Sequence, residues 1–132
     1  MSILVLDASA LVAALADEGP QGRWAEQLIV TGSLAAPHLV LAEAGNILRR
    51  LVIAGLLNER AAAVAHGDLL DCDIELFPYA PFADRIWELR GSVTIYDAWY
   101  VALAEALRAP LATLDRKLAR AKAARCRFLT PD

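Results

Sequence analysis

Short apolar runs alternate with stretches of helical period along the whole chain, and this alternation limits the possible folds more than any other feature. The run "ILVL" (3–6) is rich in β-formers and is followed at once by Asp7-Ala8-Ser9, which opens a helix to about Ala14. After Gly19-Pro20, residues 21–30 put Trp24 and Leu28 on a helical face that Thr31-Gly32 ends, and "SLAAP" (33–37) reads as a second strand. From Leu39 to Ala54, Val40, Leu41, Ala44, Ile47, Leu48, Leu51 and Val52 recur at helical spacing up to Gly55, with Glu43, Asn46 and Arg50 on the other face. Asn58 caps a helix to about Leu70, "DIELFPY" is a third strand, and a helix follows from about Pro81 to Arg90. Thr94 opens a helix to about Arg108, "PLATL" is a fourth strand leading into a helix at Asp115, and "CRFLT" is a last strand. Such alternation predicts an α/β fold around a mainly parallel sheet of four to five strands.

At 132 residues the chain reads as a single domain, 1–132, able to bury one core. Its 58% hydrophobic and 22% charged residues exclude disorder and exceed what one small core hides, so a protein partner or self-association is expected. The start lacks a basic n-region and Asp7 interrupts it, so no signal peptide is read; no run approaches the roughly 18–20 apolar residues of a membrane span. Cys72 and Cys126 are isolated, and His38 and His66 are unaccompanied, which favours reduced thiols in a cytoplasmic protein over a zinc site. Trp24, Trp87 and Trp99 read as core or interface anchors rather than base-stacking platforms. The net charge of −3 argues against coating nucleic acid by bulk electrostatics. Six of the 13 basic residues nevertheless fall between Arg116 and Arg127, a run that fits a solvated helix face and leaves a nucleic-acid contact open.

In open parallel sheets, sites form beyond the carboxyl ends of the strands. Asp7 follows the first strand and Asp115 the fourth, Asp97 opens a helix, and Glu43 lies one turn inside the helix after the second strand. Singly, each acid has a structural role: a helix cap at Asp7 and Asp115, a partner for the helix dipole at Asp97, a solvated charge at Glu43. Jointly they converge on one pocket, where four carboxylates repel one another unless a cation sits among them. Oxygen ligands without paired His or Cys favour Mg²⁺ or Mn²⁺ over zinc, and such an ion acidifies water, orients a phosphate and stabilises a leaving oxygen. An acidic pocket of this kind with Arg and Lys nearby points to a nuclease.

Four segments, "VLDASALVA", "PHLVLAEAGNILRRL", "TIYDAWYVALAEAL" and "PLATLDRKLA", in this order and spacing, resemble the PIN-domain family, specifically the small VapC-type toxins of toxin–antitoxin pairs. The resemblance covers essentially the whole chain. It implies a PIN-like three-layer α/β/α sandwich and a Mg²⁺- or Mn²⁺-dependent endoribonuclease that leaves a 5′-phosphate and a 3′-hydroxyl. It also implies inhibition by a cognate VapB-type antitoxin, and a homodimer within a larger complex. Asp7, Glu43, Asp97 and Asp115 match the family's acidic quartet, Ser9 and Thr113 match hydroxyls that orient the acids, and Asn46 stands one turn beyond Glu43. Arg116 and Lys117, then Arg49, Arg50 and Arg90, are the candidates for gripping RNA. Two other readings of the same acids are a non-catalytic PIN-like binding module and a receiver-type phosphate-accepting regulator. The latter wants a paired acidic motif after the first strand, where this chain has a single acid.

Overall fold

The computed structural model describes residues 2–132. Five strands, β1 (Ile3–Leu6), β2 (Ser33–Pro37), β3 (Ile74–Phe77), β4 (Leu111–Ala112) and β5 (Phe128–Leu129), form one sheet in the order β3-β2-β1-β4-β5, every pairing parallel. Between them run helices α1 (Ala8–Ala16), α2 (Pro20–Thr31), α3 (Leu39–Ile53), α4 (Glu59–Asp71), α5 (Ala83–Glu88) and α6 (Ile95–Leu107). The steps β1→β2→β3 and β3→β4 cross the sheet in opposite directions, so right-handed crossovers put α1–α4 on one face and α5–α6 on the other. The packing agrees: α1 contacts α2, α3 and α4, while α5 packs on α6 and α6 lies on β1, β2 and β4.

Central strands read as continuous apolar runs because both their faces are covered. Val5, Ala36, Leu111 and Ala112 are fully buried, as are Val40 and Ala44 of α3. On α6 every residue from Ala98 to Ala104 except Trp99 is buried, which explains a helix with little polar surface. Each Leu or Val so enclosed stabilises the fold by roughly 1.5–3 kcal/mol. Trp24 and Trp99 pack against the core, whereas Trp87 is exposed with the Arg90 guanidinium 4.4 Å over its ring. Among the described residues no helix is long and apolar enough to cross a membrane.

Helix ends follow local chemistry. Gly55, at φ +75°, closes α3 as Leu56 N–H reaches Leu51 C=O at 2.9 Å and Gly55 N–H reaches Val52 C=O at 3.0 Å. The end of α6 has the same pair of bonds, but Arg108 stands in the left-handed position at φ 53°. Gly22 marks where α1 and α2 meet, since a Cβ there would fall 1.7 Å from the Asp17 carbonyl oxygen.

Two expected helices differ. Residues 81–90 form α5 flanked by 3₁₀ turns at Ala80–Phe82 and Leu89–Gly91. After Asp115 there is only a 3₁₀ turn, Leu118–Arg120. The Arg85 guanidinium donates to Glu105 at 2.7 and 3.1 Å and to the Ala123 carbonyl at 2.9 Å, and Glu105 accepts Arg125 N–H at 2.7 Å. This clamp satisfies backbone groups that a helix would have used, and it holds the chain in the path that brings β5 beside β4.

Candidate active site

Strand order reverses beside β1, so the carboxyl ends of β1 and β4 border the crevice where open parallel sheets bind ligands. Asp7 leaves β1 at this point, and its N–H donates to Ala112 C=O of β4 at 3.1 Å. Asp7 is 7% exposed. Its Oδ1 accepts from Ser9 Oγ at 2.6 Å and from Ala10 N–H at 3.0 Å, and its Oδ2 accepts from the Thr113 hydroxyl. The bond from Ala10 is also the N-cap of α1, so the capping role and the place in the pocket coexist.

Both hydroxyls are themselves fixed by the backbone. Ser9 Oγ accepts Leu114 N–H at 3.1 Å, and Thr113 Oγ1 accepts Asp115 N–H at 2.9 Å. With N–H groups taking up acceptor capacity, each hydroxyl turns its proton to Asp7 and locks that side chain's orientation. Burial raises the Asp7 carboxyl above its ordinary 3.8; the Ser9, Thr113 and Ala10 bonds pull it down without prevailing, and the charge of Asp115 adds to the rise.

Asp115 is exposed, and its Oδ1 accepts from Lys117 N–H at 2.9 Å and Leu118 N–H at 3.1 Å. On α6 the cap is Thr94, whose Oγ1 accepts Asp97 N–H at 3.1 Å, so the Asp97 carboxylate is not spent on closing the helix. Its pKa is pushed up to about 6, first by burial, then by the negative charges of Asp115, Asp7 and Glu43. Glu43 reaches in from α3 and accepts the Tyr100 phenol proton at 2.6 Å.

Asp7, Glu43, Asp97 and Asp115 thus line one cavity of about 230 Å³, together with Ser9, Asn46, Arg50 and Tyr100. Among the described residues no three His, Cys, Asp or Glu side chains form a ready-made metal cage. A cage is not what Mg²⁺ requires, because that ion keeps several waters and takes one or two carboxylates directly. The oxygen-only donors and the mutual repulsion felt at Asp97 fit such a cation.

Of the basic candidates, Arg50 lines the cavity and Arg49, Arg90, Arg116 and Lys117 do not. Arg116 donates to the Pro131 carbonyl at 2.6 Å, and Arg90 to the Trp87 carbonyl at 2.7 Å. Tyr100 is the site residue that sequence reasoning missed, although its place one turn after Asp97 on the same helix face was the available signal. A larger groove of about 1210 Å³ runs between α1, α3 and α4 past Val12, Leu51, Leu56 and Val64, and Ser9, Ile47 and Arg50 line both cavities.

A switch-point crevice walled by acids from separate elements is the architecture of the PIN domain, and the chain belongs to that family: a PIN-domain model matches residues 4–124. Within it the chain stands among the VapC proteins. It is 40% identical over 127 residues to Ribonuclease VapC1 of Mycobacterium tuberculosis (strain H37Rv), covering 96% of each. To Ribonuclease VapC9 of the same strain it is 39% identical over 124 residues, 94% of each. The solved structure of PAE2754 from Pyrobaculum aerophilum matches with a TM-score of 0.72 at 25% identity, over 96% of this chain and 83% of that one. VapBC2 from Rickettsia felis, solved bound to a DNA fragment from their promoter, shares the fold with a TM-score of 0.69 at 19% identity, over 98% and 99%.

Proposed function

We propose that this chain is a Mg²⁺- or Mn²⁺-dependent endoribonuclease, the toxin of a VapBC-type toxin–antitoxin pair. The observation that carries the reading is the cavity shared by Asp7, Glu43, Asp97 and Asp115, four acids from separate parts of the chain. The names of the relatives, Ribonuclease VapC1 and Ribonuclease VapC9, support RNA as the substrate.

Asp7 and Asp97 would hold the metal ion, and Glu43 and Asp115 would complete its shell or position the attacking water. Bound there, the ion would supply the Lewis acidity that acidifies water and draws charge from the phosphate. Ser9 and Thr113 keep both oxygens of Asp7 in fixed directions, so this ligand does not have to reorganise when charge arrives. Asn46 and Arg50, which line the cavity, would hold the scissile phosphate, with Arg50 supplying charge that can pair with a phosphate oxygen.

The groove between α1, α3 and α4 suits an apolar helix of a VapB-type antitoxin, and its continuity with the acidic cavity through Ser9, Ile47 and Arg50 lets one bound segment obstruct the site. Ile53, Val64 and Leu70 on α3 and α4, and Leu56 in the turn between them, are exposed, which supports pairing with a second copy or with that partner. The test is cleavage of structured RNAs by purified protein with Mg²⁺ or Mn²⁺. Wild type cleaves and Asp7→Asn and Asp97→Asn do not; variants indistinguishable from wild type would sink the catalytic reading.

A further inference from the structure

We propose that Tyr100 is a positioning residue for this reaction, holding Glu43 by one carboxylate oxygen so that the other is offered to the cavity; this rests on the nuclease reading above. The two residues come from opposite faces of the sheet's helical layers, Glu43 from α3 and Tyr100 from α6, and they meet at the rim of the acidic cavity that both line. Tyr100 is 1% exposed, so its ring is held by the core, and its O–H is turned to Glu43. It donates to Glu43 Oε1 at 2.6 Å, the length of a hydrogen bond to an ionised carboxylate. No other hydrogen bond reaches the Glu43 carboxylate among the described residues, although Asn46 and Arg50 line the same cavity.

A glutamate side chain with no such tether samples many rotamers, and holding it still has an entropic cost. Tyr100 removes that freedom in advance. With Oε1 accepting the phenol proton, Oε2 is the oxygen without a protein donor and keeps its full capacity to accept a water proton or share a cation. Misplacing a catalytic group by even a fraction of its own length has a large effect on rate. The Tyr100 hydroxyl is engaged with Glu43, so its contribution lies in geometry rather than in proton transfer.

Tyr100→Phe deletes the hydroxyl and fills the same buried space. The expected result is a fall of about tenfold in kcat, the size set by one hydrogen bond to a charged group, with KM for RNA within about twofold of wild type. In metal-free protein, a urea-denaturation cycle of Tyr100→Phe, Glu43→Ala and the double variant reads the same contact without activity. The hydroxyl raises the midpoint when Glu43 is present and lowers it or leaves it unchanged when alanine replaces Glu43, because the buried phenol then has no acceptor. A kcat for Tyr100→Phe within twofold of wild type, or an equal midpoint shift in both backgrounds, overturns the inference alone. Absence of RNA cleavage by wild type with either metal overturns the nuclease reading and the inference with it.

Discussion

Replacing Asp97 by asparagine should make the metal-free protein more stable while abolishing RNA cleavage. The carboxyl is displaced from its ordinary 3.8 to about 6, by burial first and then by Asp115, Asp7 and Glu43. A folded-state pKa raised above the unfolded value means that ionising the group works against folding, fully above about pH 6 and not at all below 3.8. A displacement of that size corresponds to about 3 kcal/mol. Because the group is only half-buried, water screens it and about 1–2 kcal/mol is the better figure. The favourable placement of an acid in the first turn of α6 takes back about 0.5 kcal/mol. Asp97→Asn should therefore gain about 1 kcal/mol near pH 8, and the gain should shrink to nothing as the pH falls to about 4. Urea denaturation of both proteins with EDTA, at several pH values across that range, measures it. A variant less stable than wild type near pH 8, or a difference that does not change with pH, would refute the account of Asp97 as a carboxyl raised by burial and by the neighbouring acids.

Three further outcomes test the frame around the site. Thr113→Val removes the donor to Asp7 Oδ2 and the acceptor of Asp115 N–H from a fully buried position, so it should cost about 2–3 kcal/mol by chemical denaturation. Gly22→Ala drives a Cβ to within 1.7 Å of the Asp17 carbonyl oxygen and should lower stability by roughly 3 kcal/mol, seen as a drop in Tm. Arg108→Gly relieves the left-handed residue at the end of α6 and should raise stability by about 1 kcal/mol in the same measurement.

Much of this architecture was legible because punctuation and period agreed. "ILVL" followed by Asp7, and "PLATL" followed by Asp115, announce strands ending in acids, and a parallel sheet can place both at one edge. The period of α3 put Glu43, Asn46 and Arg50 on one face, and all three line the cavity. The segment after Asp115 misled because its basic and alanine-rich residues have helical propensity, while the outcome was decided by Arg85 and Glu105, distant in sequence, capturing Ala123 and Arg125. Arg116 and Lys117 looked best placed for RNA by chain proximity, but the turn at Asp115 carries them off the cavity wall and Arg116 toward Pro131. Only the folded sheet, which brings α3 and α6 from its opposite faces to one crevice, could join Tyr100 to Glu43.

The middle strand of the sheet is the first to be synthesised, and its neighbour on one side, β4, is among the last. Asp7 can acquire the Thr113 hydroxyl and the Asp115 carboxylate only after residues 110–129 have left the ribosome, since β4 docks on β1 and β5 on β4. A nascent chain would thus carry helices α1–α4 and the groove between them well before the acidic cavity closes. Most of the groove's lining precedes the segment that closes the cavity, so a partner of the proposed kind could engage the chain before its acids are assembled.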